Sequence, residues 1–497
     1  MAKMVKAFSR MEKRHRWYSY LFAKSYKRCK NCTMKYTLTI QESHYSELKN
    51  HLLNEDLNEH VAFVICSRSL VNGVEERLLS REVITLSNEK LIISEPTKVS
   101  WDNQYFIEIL KKVESKNFSI ILVHNHPEGF NQFSEIDDKG EKELFQLAFN
   151  RNGYNTIHAS LIMLPDGYLI GRVWKTNLSN VQISLIRIIG KRIVLNYPDK
   201  TSDYETPEVF NRQQLAFGKA LVQDLSKLKI SVVGAGATGS ATALLLTRLG
   251  IGELCLIDKD TVEQSNLNRL HGAKLSDVGK YKVDVLQQYI KEIGIGTKIS
   301  VVKSWVSDKE CIDHLKTSDL IFGCTDDDAG RILLNRFAYF YLTPVIDMGL
   351  IIQVKKDMNE IQDLQGRVSY LYPGNDCLIT KGNINTQRAY EQDLKRNNPE
   401  SYKKLKNEAY VIGEGDPSPA VVTFTTQIAS ISVNELLNRI QGYNPSLLDF
   451  PHKQFFFHRY GDGSEIFPGN ISNNECRICG QSNYWGRGDM QPFLDMA

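Results

Sequence analysis

No stretch of this chain is apolar for anything near the roughly 20 residues that a membrane-spanning helix needs, and no signal peptide is evident. A surplus of one charge is also missing: 61 Lys and Arg stand against 58 Asp and Glu, a net charge of +3. That balance argues against nucleic acid or an anionic membrane as a partner of the whole chain. No internal repeat or low-complexity block occurs, so the two halves read as a fusion of unlike domains. The nine cysteines lie mostly in apolar segments and give no disulfide framework, which makes a reducing cytoplasm the expected compartment. At 497 residues the chain has room for two or three domains and a sizeable core.

What the chain does carry is a nucleotide fingerprint between Lys229 and Arg269. A β-branched run, Ile230–Val233, predicts a buried parallel strand. It leads into Gly234, Gly236 and Gly239, then an apolar helical segment, then a second strand, Leu254–Ile257, ending in Asp258. Glycines for a tight turn and close phosphate approach, a helix N-terminus facing the phosphates and an acid for ribose hydroxyls make up the βαβ nucleotide site. A dinucleotide needs little more. Here Asn266, Arg269 and Lys282 follow, and Asp326 stands after a strand at Leu320–Phe322. Clustered cations and a metal-holding carboxylate suit a triphosphate.

These residues resemble the ThiF/MoeB superfamily, the adenylyltransferases that include ubiquitin-activating enzymes. The resemblance implies ATP and magnesium, with Asp258 on the ribose, Asn266, Arg269 and Lys282 on the phosphates and Asp326 on the magnesium. It further implies that Arg212, in Asn211-Arg212-Gln213, reaches across a homodimer into the partner's ATP site. It covers about Phe210 to Leu437. A dehydrogenase would leave Arg269, Lys282 and Asp326 unexplained.

The first half predicts α/β order from about Tyr36. Strands are expected at Thr37–Ile40, Val61–Cys66, Arg77–Leu86 and Leu91–Ile93, with helices at Ser43–Leu53 and Asn103–Val113. A strand at Ser119–Val123 then runs into His124-Asn125-His126-Pro127, with Ser134 and Asp137 beyond. Two histidines at i and i+2 at a strand end, closed by a later aspartate, form a catalytic zinc set with a fourth position open for water. This spacing resembles the JAMM (JAB/MPN) metallopeptidases, which cut after ubiquitin-like C-termini. That resemblance implies Glu59 as general base, with Glu75 and Glu76 weaker candidates, and Ser134 as oxyanion donor; Asn125 departs from the family pattern outside the ligand set. A related fold in RadC-type repair proteins is set aside because of the fusion.

The expected fold class is α/β: a JAMM, cytidine-deaminase-like α/β/α domain at 36–175, then a Rossmann-like adenylation domain with a mostly parallel sheet at 208–497. Residues 1–35 form a basic extension, with eleven Lys or Arg against Glu12, read as a solvated tail or short surface helix, or as a docking arm for an acidic partner or a nucleic-acid backbone. Residues 176–207 are taken as the connection, with Val181–Leu195 an apolar amphipathic segment and Asn196–Pro207 a linker. Related activating enzymes pair two Cys-x-x-Cys motifs on structural zinc. Here Cys476 and Cys479 are present, but Thr380 replaces the partner of Cys377. Cys377 therefore has two expected roles, a zinc ligand or an exposed thioester nucleophile under a crossover at Lys381–Val411.

The function expected first is a two-headed enzyme of a bacterial-type ubiquitin-like pathway. One half trims or deconjugates the modifier; the other adenylates its C-terminal glycine, for transfer to a thiol or a conjugating enzyme. The alternative is activation of a sulfur-carrier protein with a processing peptidase, and a third reading is a modifier-binding scaffold with one inactive half. Antiphage defence is a guess that no residue tests.

Overall fold

The structure, a computed structural model, describes residues 34–71, 73–114, 116–198, 205–355, 360–407, 419–457, 464–467 and 474–493. The basic extension up to residue 33, with Cys29 and Cys32, lies outside them, as do Pro417 and Ser418.

The first sheet holds β1 (Lys35–Gln41), β2 (Val61–Val71), β3 (Glu75–Thr85), β6 (Ser119–Asn125), β7 (His158–Met163), β8 (Leu169–Trp174), β9 (Asn180–Gln182), β10 (Leu185–Ile189) and β11 (Ile193–Asn196). The pair β4 (Leu91–Glu95) and β5 (Lys98–Trp101) stands apart as its own hairpin. Strand order is β11-β10-β1-β3-β2-β6-β7-β8-β9. Every residue of β6 is buried, as a continuous apolar run in a central strand requires. Helix α1 (Glu42–Leu52) covers one face through Leu48 and Leu52. On the other face lie α2 (Asn103–Val113), by Phe106 and Leu110, and α3 (Glu135–Asn152), by Phe145 and Phe149. Layers of helix, sheet and helix result.

The connection expected at 176–207 is corrected by β9, β10 and β11. The Leu185–Ile189 run is buried throughout and pairs in parallel with β1, so the chain extends the sheet before leaving it. Apolar residues that close a sheet edge and a linker share a boundary region in sequence; burial of five consecutive residues separates them.

After α4 (Asn211–Phe217) and α5 (Lys219–Lys227), the second sheet is built from β12 (Lys229–Val233), β13 (Glu253–Ile257), β14 (Lys298–Val302), β15 (Leu320–Gly323), β16 (Val345–Lys355), β17 (Glu360–Leu371), β18 (His452–Phe456) and β19 (Ser464–Phe467). Its order is β14-β13-β12-β15-β16-β17-β18-β19; the first five are parallel and the last three antiparallel. Helices α6 (Ala237–Arg248), α7 (Lys282–Ile293), α8 (Lys309–Lys316) and α9 (Asp328–Phe340) are the crossovers, and α10 (Thr386–Asn397), α11 (Pro399–Asn407) and α12 (Val422–Gln441) follow. The chain reverses direction of travel between β12 and β15, the switch point at which such sheets bind ligands outside their C-terminal strand ends.

Two apolar clusters and one buried ion network cross between the halves. Leu79 of β3 packs with Leu342, Tyr484 and Phe493, and Ile189 and Ile193 pack with Leu225 and Ile440. Arg187 Nε donates to Asp319 Oδ1 at 2.7 Å, Arg77 Nη1 donates to the Ser318 carbonyl at 2.9 Å, and Asp319 Oδ2 accepts from Lys229 N at 2.9 Å. Asp489 clasps the same joint, accepting from Leu70 N at 2.8 Å and Lys316 Nζ at 2.6 Å. Removing one member of a buried pair leaves a charge without its partner, which costs about 3–5 kcal/mol. Arg187→Ala is therefore expected to lower unfolding free energy by about that amount in urea titration, with Arg187→Lys falling between. A pH term belongs to the same joint. Burial opposes the charge of Glu75, but Arg77, Arg187 and the Thr37 hydroxyl outweigh it and hold the group down to about 2. Its stabilising contribution is complete above its unfolded value near pH 4.5 and is lost as pH falls toward 2. Glu75→Gln is expected to flatten stability across that window.

The joint also fixes where each half faces. On β2, Val61 pairs with His124 at one end, while Ser67 to Leu70 at the other meet the C-terminal segment. On β12, Lys229 sits at the joint and Val233 leads away from it into the glycine turn. Each strand end that carries candidate chemistry thus points away from the neighbouring half.

Candidate functional site

The first site is a cleft of about 300 Å³ across the C-terminal ends of β14 to β16. Gly234 follows β12 with φ of 93°, and a Cβ there would stand 2.7 Å from the Cys324 carbonyl oxygen. At Gly239 the conflict is sharper, 1.8 Å from the Gly234 carbonyl oxygen, so α6 can pack this close only without a side chain. Gly236 has nothing within 4 Å of a built Cβ, leaving its backbone open to the cleft. Asp258 at the end of β13 accepts from Ala235 N at 2.7 Å and Asp260 N at 2.8 Å, while burial pushes its carboxyl up.

Asn266, Arg269, Lys282 and Asp326 line the same cleft, so the residues read as one set from sequence are brought together. Lys282 is held at 3.0 Å from Asp260, and Arg269 donates to the Ser265 carbonyl at 2.6 Å. Both cations are thus tethered near the glycine turn before any anion arrives. Asp327 caps α9 by accepting from Gly330 N at 3.0 Å, which leaves its neighbour Asp326 exposed toward the cleft. Arg212, on α4, is exposed and does not line this chain's own cleft. Sequence reading gave no role to Arg331 or Trp305, which line it too. Trp305 carries the Arg396 guanidinium of α10 at 3.7 Å over its ring, so the crossover helix is seated on the cleft wall. Only the polar, charged make-up of that crossover was visible beforehand.

A second cavity, about 290 Å³, opens at the end of β6 and is lined by Glu59, His124, Ser134 and Asp137. His124 Nε2 and His126 Nε2 are 3.1 Å apart, and Asp137 oxygens lie 3.5 and 3.9 Å from them. His126 Nδ1 donates to the Phe130 carbonyl at 2.7 Å, which leaves the Nε2 lone pair for a ligand bond. Burial pushes His124 down to about 4, the neutral form a metal requires. These donors fit a divalent metal: three ligand atoms converge within 4.8 Å of one another. Burial, then the Asp137 carboxylate, push Glu59 up to about 8 in the absence of a cation. Ser134 caps α3, its hydroxyl accepting from Asp137 N at 3.1 Å and donating to Asp137 Oδ2 at 2.8 Å. The residue expected as an oxyanion donor therefore also orients a metal-facing carboxylate.

Cys377 corrects one expectation. It is buried rather than an exposed nucleophile, with Sγ 3.9 Å from Cys476 Sγ. The Tyr372–Cys377 turn folds inward because Leu378 N donates to the buried Asn335 side chain at 2.9 Å and Cys377 and Leu378 fill a core beneath α9. Cys377, Cys476 and Cys479 offer sulfurs within 4.8 Å of one another, and the 3.9 Å between Cys377 Sγ and Cys476 Sγ is close to the roughly 3.8 Å edge that Zn–S bonds of about 2.3 Å would set. Thr380 Oγ1 stands 3.8 Å from the sulfurs of Cys377 and Cys479, where a fourth ligand belongs, but is engaged by the Cys377 backbone. The hydrogen bond from Cys479 pushes the Cys377 thiol down to about 5, against burial. Three thiols fit a soft metal.

Comparison with known proteins covers the second half. The ThiF family model matches residues 210–477. Adenylyltransferase and sulfurtransferase uba4 of Emericella nidulans is 33% identical over 159 residues, 32% of this chain and 32% of that protein. Its namesake from Meyerozyma guilliermondii is 29% identical over 150 residues, 30% of this chain and 35% of that protein. The chain thus spans about a third of the length of these curated relatives. A crystal structure of E. coli MccB with MccA-N7isoASN covers 55% of this chain and 76% of its own at 19% identity, with a TM-score of 0.42, too low to bear on activity. Since the family model takes in more than half of its length, and the glycine turn, Asp258, Arg269, Lys282 and Asp326 fall inside the match, this chain belongs to the ThiF family.

Proposed function

We propose that the second half is an ATP-dependent adenylyltransferase that activates the C-terminal glycine of a small sulfur-carrier or ubiquitin-like protein. The observation that carries this reading is the cleft at the switch point, where the glycine turn, Asp258, the two tethered cations Arg269 and Lys282 and the exposed Asp326 share one wall system. In the reaction a carboxylate oxygen of the carrier bonds to the α-phosphorus of ATP. The bond to the β-phosphate oxygen breaks, and pyrophosphate leaves with the electron pair. Arg269 and Lys282 neutralise that departing charge, and the amides of the glycine turn hold the α-phosphate. Asp326 would hold the magnesium, whose charge would offset that of the phosphates. Arg212, exposed on α4, would complete the site of a second copy in a homodimer.

Between the two fates of the adenylate, the sulfur-carrier route is favoured over ubiquitin-like conjugation. The relatives are named adenylyltransferases and sulfurtransferases. Among the described residues no cysteine is exposed to take a thioester: six are buried and Cys476 is partly so. A sulfur donor from outside the chain then displaces AMP from the acyl group.

The first half is read as a zinc peptidase that trims the same carrier, on the strength of His124, His126, Asp137 and Glu59 around one cavity. A zinc ion there would supply Lewis acidity at the scissile carbonyl and make a water nucleophilic near neutral pH. Glu59, which lines the same cavity, would accept a proton from the attacking water and deliver it to the departing amine. No helix among the described residues is long and apolar enough to cross a membrane. ATP–pyrophosphate exchange that depends on a small glycine-ended protein tests the reading. Exchange requiring that protein is the expected result. Exchange with none of the candidate carriers, in a protein that binds ATP, refutes it in favour of a binding scaffold.

A further inference from the structure

The nucleotide occupies only part of its cleft. Asp258 ends β13 and the glycine turn follows β12, so ribose and phosphates run from β13 toward β12. The cleft continues past them over β15 and β16, where Met348, Leu350, Ala420 and Thr425 line it together with Arg331. That far end holds a charge arrangement with no partner in the nucleotide chemistry. Asp347, 1% exposed, accepts from Arg367 Nη2 at 2.6 Å through Oδ2 and faces Arg331 Nε at 3.5 Å through Oδ1. Two guanidiniums therefore share one carboxylate. Asp328, on α9 as is Arg331, faces Arg388 at 3.7 Å. Arg367 Nη1 is buried and makes no hydrogen bond with the described residues. Above the pair, a Cβ at Gly349 would stand 3.2 Å from Arg367 Nη2 and 3.5 Å from Arg331 Nη2. Glycine there keeps a side chain off the two guanidiniums; the Arg331 and Arg367 side chains are 15% and 16% exposed.

We propose that Arg331, braced by Asp347 and Arg367, receives the terminal carboxylate of the acyl substrate and holds it beside the α-phosphate. This rests on the adenylyltransferase reading and adds the group that recognises a free C-terminus. A carboxylate approaching ATP meets like charge, and Arg269 and Lys282 lie on the β13 side of the cleft, already facing phosphates. A cation on the β16 side is what lets two anions meet. Planar guanidinium matches a carboxylate in two hydrogen bonds, and an amide offers it only one acceptor. Arg331 is thus a substrate-binding residue, while Asp347 and Arg367 position it.

The test uses the full chain with magnesium and α,β-methylene-ATP, and a fluorescent heptapeptide ending in Gly-Gly, as free acid and as C-terminal amide. Wild type is expected to bind the acid at least about tenfold tighter, the equivalent of about 1.4 kcal/mol. Arg331→Ala is expected to bind the two peptides alike while its nucleotide affinity stays within about twofold of wild type. Arg331→Lys keeps part of the preference, and Gly349→Val loses the acid peptide without losing nucleotide. Wild type that takes up nucleotide but binds neither peptide, or both equally, overturns the proposal. So does a preference that survives in Arg331→Ala. Failure of wild type to bind the nucleotide analogue would instead remove the adenylyltransferase reading, and this inference with it.

Discussion

Gly236→Ala and Gly239→Ala, three residues apart in one turn, are expected to fail for opposite reasons. A Cβ on Gly239 meets the Gly234 carbonyl oxygen at 1.8 Å, backbone against backbone, so α6 must move off β12. Overpacking of that kind costs about 1–3 kcal/mol, occasionally more, and a clash with main chain falls at the upper end. Gly239→Ala is expected to melt early and to lose nucleotide binding as a consequence. A Cβ on Gly236 meets nothing within 4 Å. Its space is the phosphate's, because the turn works by close approach of backbone amides to the anion. Gly236→Ala is therefore expected to keep the wild-type melting temperature and lose pyrophosphate exchange by roughly 10²-fold, the effect of displacing a reacting group by about 1 Å. Thermal melts beside exchange assays separate the two. Equal stability in both variants, or full exchange in Gly236→Ala, would contradict the assignment of the turn.

That contrast also marks how far the residues could be read without coordinates. The turn, its flanking strands and Asp258 were legible because they are local: apolar runs, glycine spacing and a terminal acid within about 30 residues. The convergence of His124, His126 and Asp137 was legible for the same reason, since they belong to one strand end and the helix that follows. The group around Asp347 was not. Arg331 comes from α9, Asp347 from β16 and Arg367 from β17, and they meet only through pairing of neighbouring strands. Nothing in the sequence of any one segment marks it. Cys377 shows the same limit from the other side. Its loop composition suggested exposure, while its burial depends on Cys476, 99 residues away, and on the underside of α9. The three strands between residues 180 and 196 were hidden because an amphipathic run does not say which sheet it will join.

Glu59→Gln is expected to reduce peptide-bond hydrolysis by about 10²–10⁴-fold, the range for losing a general base, with zinc content unchanged. Glu59 is not among the converging ligands, and glutamine keeps its shape but cannot take a proton. His124→Ala removes a ligand, so hydrolysis and the metal bound there are expected to be lost together, while the separate cluster of Cys377, Cys476 and Cys479 is untouched. The stronger expectation concerns the other half. Pyrophosphate exchange in both variants should stay within about twofold of wild type. The reason lies in the joint: β2 meets His124 at Val61 and the joint from Ser67 to Leu70, about 20–30 Å away along an extended strand. The glycine turn likewise stands at the end of β12 remote from Lys229, which touches Asp319. On the proposed reading, a carrier tail would leave one site before entering the other, so trimming and adenylation would be separate encounters of one substrate. Assaying a carrier with a C-terminal extension follows both at once by intact mass. Glu59→Gln should accumulate uncut carrier and no adenylate, and should adenylate carrier supplied already trimmed at the wild-type rate. Slow adenylation of trimmed carrier would mean that the halves are coupled through the joint, against the independence that their outward-facing strand ends imply.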